Sequence, residues 1–251
     1  MRTRPNRALA AGREVVVWHD VECGGYAEDL PIWRDLARDA GGPILDLGAG
    51  TGRVTLDLAA AGHDVTAVDA DPVLLDELAE RARARGLEVR CITADARALD
   101  AAGAFSLVLA PMQFLQIMGG EPGRAALLER VAACLNPGGA FAAAISDLDE
   151  AIAPDDALPP LPDVGEREGW VYSSLPLDVR PEPGGVAVEW LRQVVAPGGE
   201  LTERRHTQVL ETLTPDQLAR EAAAHGLRPE ARHEIAHTTE YIGSTVMLCR
   251  R

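Results

Sequence analysis

The chain has 251 residues, 47% of them hydrophobic, enough for one sizeable core and an accessory piece. Its net charge of -15 argues against nucleic acid or an anionic membrane as a partner, because affinity for either is supplied by Lys and Arg. No stretch nears the ~20 apolar residues of a membrane span, and the basic opening segment lacks the apolar core of a secretory signal. Cys23, Cys91, Cys134 and Cys249 form no C-x-x-C pair, so reduced thiols in a cytoplasmic protein are expected.

Residues 1–42 predict a helical lid segment in which Trp33 seals a helix against the sheet. From 43 to 148 short β-like runs alternate with helical patterns, the signature of βαβ units. Strands are expected at 44–47, 64–68, 87–93, 106–110 and 140–145. Asp71 caps a helix begun by Pro72, carrying Leu74, Leu78 and Ala82 on one face and stopped by Gly86; Arg81, Arg83 and Arg85 read as its solvated end. The run MQFLQIM predicts an apolar helix whose Gln113 and Gln116 need partners, either a substrate or a backbone carbonyl. A further helix carries Leu127, Leu128, Val131 and Leu135 and stops at Asn136-Pro137-Gly138-Gly139.

Residues 149–212 read as a proline-rich acidic linker, DEAIAPDDALPPLPDVGE, followed by an antiparallel meander over 170–177, 186–195 and 201–212. Tyr172, Trp190, Arg192, Arg204, Arg205 and His206 are its substrate-facing candidates, with strand alternation placing Trp190 beside Arg192 and Arg204 beside His206. Residues 213–251 return to α/β logic: Thr214-Pro215-Asp216-Gln217 starts a helix, Gly226 stops it, and strands follow at 228–236 and 245–249. The expected fold is therefore α/β, a Rossmann-like doubly wound and mostly parallel sheet, with a small antiparallel β cap inserted after the fifth strand.

The decisive segment is ILDLGAGTGR, a buried strand entering a glycine turn and then a helix. The dinucleotide fingerprint is G-x-G-x-x-G, whereas this turn reads G-x-G-x-G and places Asp46 two residues before its first glycine. A carboxylate there repels a pyrophosphate and attracts an ammonium group. Asp69 and Asp95 end the next two expected strands, and acids at three successive strand ends are hard to assign to core packing.

The segments DLGAGTGR, AVDADPVLL, ITADAR, FSLVLAPMQFLQ and LNPGGAF, in that order, resemble the motifs of class I S-adenosylmethionine-dependent methyltransferases over residues 43–146. The small-molecule branch, with its antiparallel cap, is the nearest likeness. The resemblance implies that Asp46 and the backbone of Gly48, Ala49, Gly50 and Gly52 hold the methionine part. Asp69 would hold the ribose, Ala70 and Leu74 would flank the adenine, and Asp95 with Ala96 would take its exocyclic amine. Pro111, Met112 and Gln113 would line the reaction centre, and Tyr26 matches a tyrosine that folds over the cofactor. Ala110-Pro111-Met112-Gln113 departs from the motif of DNA amino-methylating members, which argues against base methylation.

The expected chemistry is SN2 methyl transfer to N or O of a small molecule, releasing S-adenosylhomocysteine, with His206 as base and Gln113 and Tyr26 as further catalytic candidates. His63, His225, His233 and His237 show no metal-site spacing. An NAD(P)-dependent oxidoreductase, or a binder of the same cofactor that performs other chemistry, are the competing readings; N against O, and monomer against homodimer, stay open.

Overall fold

The computed structural model describes residues 13–101, 103–146, 148, 161–238 and 241–251. Two helices, α1 (Glu14–Cys23) and α2 (Leu30–Ala40), precede the alternating core: β1 (Ile44–Leu47), α3 (Arg53–Ala60), β2 (Val65–Asp69), α4 (Pro72–Ala84), β3 (Arg90–Thr93), β4 (Phe105–Ala110), α5 (Gly120–Cys134) and β5 (Leu135–Ser146). The cap strands β6 (Asp163–Arg167), β7 (Trp170–Glu182), β8 (Gly185–Val195) and β9 (Leu201–Glu211) come next. The chain ends with α6 (Pro215–Ala224), β10 (Arg228–Ile235) and β11 (Ser244–Arg250).

The main sheet has the order β10-β11-β5-β4-β1-β2-β3; β1, β2, β3, β4 and β5 run parallel, while β11 is antiparallel to both β5 and β10. Central strands bury both faces. Leu107 and Leu109 point to the side covered by Trp33 and Ala37 of α2 with Val54 and Leu58 of α3. Val108 and Ala110 point to the opposite layer, filled by Leu127, Leu128 and Val131 of α5 and Leu218 of α6. Strand order reverses between β1 and β4, so the loops leaving these two strands part and open a crevice at the sheet's C-terminal edge, where open α/β sheets take their ligands.

The cap is a separate antiparallel sheet, β6-β7-β8-β9, four strands where the sequence predicts three. β6 lies in the stretch expected to be linker; Glu168 and Gly169, with φ of 52 and 80, make a tight turn of the kind hairpins favour and fold it onto β7. The proline-rich run 149–160 lies outside the described residues. MQFLQIM gives only a single 3-10 turn, Phe114–Ile117, since Met112 is left-handed at φ 55 and Gly119 and Gly120 are left-handed on the other side. β3 starts three residues later than expected, because Leu87 and Val89 pack on the α4 cluster. Asn136-Pro137-Gly138-Gly139 is absorbed into β5 as an irregularity, where the register with β4 shifts between Phe105 and Leu107.

Gln116 resolves the choice its sequence left open in favour of backbone. Fully buried, it donates to the carbonyls of Ser146 at 3.1 Å and Glu211 at 3.2 Å and accepts from the Ser146 amide at 2.9 Å. It therefore ties the end of β5 to the end of β9, core to cap. Gln116→Ala strands three buried backbone groups, so a loss of about 2–4 kcal/mol is expected in urea unfolding; a change under about 0.5 kcal/mol would deny the side chain this role.

Candidate active site

Each of the three glycines after β1 has a left-handed φ: 68 at Gly48, 54 at Gly50 and 94 at Gly52. A Cβ at Gly48 would lie 2.4 Å from Phe114 Cδ2, and one at Gly50 would lie 2.1 Å from His19 Nε2. The turn thus needs glycine for conformation and for space. Beneath it Asp46 is fully buried. Its Oδ2 accepts from the Thr55 hydroxyl at 2.6 Å, while Oδ1 has no partner among the described residues. Burial pushes the carboxyl up to about 6, against the pull of Thr55 and the Arg53 guanidinium.

Asp69, ending β2, accepts from the Gly50 amide and the Asp71 amide, both at 2.9 Å. It is thereby fixed against the turn. Asp95, beyond β3, caps the short turn Ala96–Ala98 by accepting from the Arg97 amide at 2.9 Å and pairs with the Arg97 guanidinium at 2.7 Å. Those bonds hold its carboxyl below the usual range.

A cavity of about 1170 Å³ opens between this edge and the cap. Of the residues expected at the site, Gly48, Asp69, Ala70, Leu74, Asp95 and Ala96 line it on the β1–β3 side, Pro111, Met112 and Gln113 line it after β4, and His206 lines it from β9. Asp46, Ala49, Gly50 and Gly52 are not on its wall. Met112 holds a backbone conformation disfavoured for its side chain, a strain that concentrates at functional sites. All six cap candidates, Tyr172, Trp190, Arg192, Arg204, Arg205 and His206, face the cavity.

Tyr26 stands behind the wall. Its buried ring is 5.0 Å from that of Tyr241, which does line the cavity, and 5.1 Å from the Arg53 guanidinium. Arg53 in turn binds Asp29 at 2.5 and 2.7 Å, and Trp33 donates to the same carboxylate at 2.7 Å, sealing α2 to the sheet.

Helix α1 supplies cavity-lining residues that sequence reasoning missed: Trp18, His19 and Glu22 all line the cavity. The Thr51 hydroxyl donates to Asp20 at 2.8 Å and faces His19 Nδ1 at 3.2 Å, so Nδ1 carries the proton and Nε2 is left as an acceptor over Gly50. Asp20 also takes Arg81 at 2.9 and 2.5 Å, which corrects the reading of Arg81 as a solvated helix end. Toward the cap, Glu22 binds Arg192 at 2.7 and 2.6 Å and Ser174 at 2.7 Å, while Trp18 meets Tyr172 edge-on at 5.6 Å. The signal was hidden because apolar Val15, Val16 and Val17 are consecutive, which masks any single-faced stripe.

His206 sits 6.0 Å from the Trp190 ring. Burial, with the nearby Arg192 charge, holds its imidazole below the ordinary value against the pull of Glu22, and so favours the neutral form.

Residues 44–139 match a family model described as Methyltransferase domain. A Mycobacterium tuberculosis protein is 46% identical over 70 residues, 28% of this chain, and the match spans only 26% of that relative. Among solved structures, the S-adenosylmethionine-bound amino pentose methyltransferase CalS10 of Micromonospora echinaspora superposes with a TM-score of 0.72 at 19% identity, covering 99% of this chain and 100% of that one. The sugar N-methyltransferase KedS8 of a Streptoalloteichus species gives 0.71 at 19% identity, covering 100% and 98%. The 1,6-didemethyltoxoflavin-N1-methyltransferase of Burkholderia thailandensis gives 0.57 at 21% identity, covering 98% and 92%. At these identities the structural likeness is one of fold.

Proposed function

We propose, on the premise that residues 44–139 form a methyltransferase domain, that this chain is an S-adenosylmethionine-dependent methyltransferase acting on N or O of a small molecule. The observation that carries the reading is the orphaned Oδ1 of Asp46. A buried carboxylate oxygen behind the cavity wall is left without a partner only at a cost, and an amino-acid ammonium seated at the glycine turn would relieve it with a charge-assisted hydrogen bond. A pyrophosphate there would meet repulsion. Asp69, already fixed by two amides, has lone pairs left for a ribose diol, and Asp95 with the Ala96 backbone suits an adenine edge.

When bound, the cofactor would supply an electrophilic methyl for the acceptor's lone pair, with its sulfur as the leaving group. The chain's contribution is alignment, which in favourable cases is worth about 7–11 kcal/mol. Pro111, Met112 and Gln113 bound the reacting end, and α1 with the cap excludes water. Calorimetry tests the reading: S-adenosylmethionine and S-adenosylhomocysteine are expected to bind and NADH is not, and S-adenosylhomocysteine should be released when acceptors are supplied. No heat with either sulfur nucleoside would overturn it.

Neutral His206 accepts the proton of an acceptor that starts protonated. His206→Ala is expected to lower kcat/KM roughly 100-fold. It should also abolish the acid limb of the pH–rate profile, since activity falls as pH drops through a histidine value below 6.5. Unchanged turnover would remove His206 from the mechanism.

A further inference from the structure

The chain contains ten aromatic side chains, 4 Trp, 3 Tyr and 3 Phe, and they are not spread evenly. Six of them line the cavity between core and cap: Trp18 on α1, Phe114 and Tyr241 on the core side, and Trp170, Tyr172 and Trp190 on the cap. Trp33, Phe105, Phe141 and Tyr26 pack elsewhere and are all buried, while of the cavity six Trp18 and Tyr172 are buried too and pack edge-on against each other. A chain that builds its core from Leu, Val and Ala has placed three of its four tryptophans around a ligand space.

We infer that the methyl acceptor is a planar aromatic or heteroaromatic ring carrying the nucleophilic oxygen or nitrogen, an inference that rests on the methyltransferase reading above. Rings that line the cavity from both the core side and the cap side reward stacking with another ring, each such contact adding to what area burial alone provides. Trp190 and His206 already lie within 32° of parallel at 6.0 Å, a shared face on the cap. An alkylammonium acceptor could also exploit aromatic faces, but Arg192 occupies that position over Trp18 at 5.1 Å. An ionised carboxylate acceptor such as a free amino acid would need an uncommitted arginine, whereas Arg192 gives its Nε and Nη2 to Glu22, Arg205 pairs with Glu189 at 3.1 Å and Arg204 pairs with Glu14 at 3.8 Å.

The test uses the full chain saturated with S-adenosylhomocysteine and reads binding by tryptophan quenching and calorimetry. Probes are 8-hydroxyquinoline, catechol and 5-aminoindole against glucosamine and glycine. The aromatic probes are expected to bind at least tenfold more tightly than the other two. Trp190→Leu should weaken them roughly tenfold or more, and Trp190→Phe should restore most of the loss. Neither substitution should change S-adenosylhomocysteine affinity, which also reports that each variant is folded. Failure of every aromatic probe to bind the complex, preferential binding of glucosamine or glycine, or equal binding by Trp190→Leu and wild type overturns the inference and leaves the methyltransferase reading standing. A wild-type chain that does not bind S-adenosylhomocysteine overturns both.

Discussion

Asp46→Asn is expected to make the ligand-free protein more stable and its cofactor complex much weaker. The Asp46 carboxyl titrates at about 6 when folded against 3.8 in the reference state, with burial the first cause. A folded value above the unfolded one means the native state holds the extra proton between those two pH values. Stability therefore declines as pH rises across that window, and the full penalty is present above about pH 6. At 1.36 kcal/mol per unit the difference of 6 − 3.8 gives about 3 kcal/mol as an upper bound. Asparagine keeps the acceptor for Thr55 but buries an amide with one unmet donor, so a net gain of about 1–2 kcal/mol at pH 8 is expected. At pH 3.5, where the wild-type carboxyl is largely protonated in both states, the gain disappears.

The same substitution removes the charge that meets an ammonium group, and a hydrogen bond to a charged partner is worth about 1.5–3 kcal/mol, so affinity for S-adenosylmethionine should fall roughly 10- to 100-fold. Wild-type affinity should itself decline below about pH 6, as Asp46 takes up its proton. Thermal unfolding and titration calorimetry on the two proteins check both halves. If stability and affinity fall together, Asp46 is a structural carboxylate and its orphaned oxygen has no ligand to receive.

Much of this site is legible from local pattern because each part rests on a short-range rule. Three glycines with an acid two residues upstream mark a strand running into a turn that needs positive φ, and acids at strand ends have no place in a core. Asp71 and Thr214 each cap a helix as their spacing foretells, accepting from Val73 and Gln217. What sequence could not supply is pairing at long range. Asp20 meets Arg81 sixty-one residues away and Glu22 meets Arg192 at a separation of 170, and neither pair has a periodic signature. β6 was lost in a proline-rich run because its strand identity comes from the turn at Glu168 and Gly169 and from β7 as template, and only weakly from its own residues. Tyr26 shows the same limit from the other side: its ring packs 5.0 Å from Tyr241, a cavity-lining residue far along the chain that no local pattern pairs with it.

Asp20→Ala is expected to unfasten α1 from the glycine turn while the core stays folded. Two polar clusters fasten α1, Asp20 on Thr51 and Arg81 and Glu22 on Arg192 and Ser174, beside the packing of Trp18 on Tyr172. Burial opposes ionisation of Asp20, yet the bonds from Arg81 and Thr51 hold its carboxyl below 3.8. A depressed folded value contributes stability that is fully present above the unfolded pKa and lost only in acid, so this latch is constant from pH 5 to 9. Removing it leaves Arg81 without its strongest partner and frees the Thr51 hydroxyl that fixes the His19 tautomer. Breaking such a partly buried, charge-assisted pair costs about 2–3 kcal/mol. The loss falls on local opening of α1, because the cap remains tied to the core through Gln116 and through Arg124 with Glu211. Amide exchange in α1 should therefore accelerate roughly 30- to 100-fold while exchange in β1 and β4 is unchanged, and S-adenosylhomocysteine should bind at least tenfold more weakly with a faster off-rate. Unaltered exchange in α1 together with unaltered affinity would show that this helix neither closes over the turn nor contributes to holding what lies beneath it.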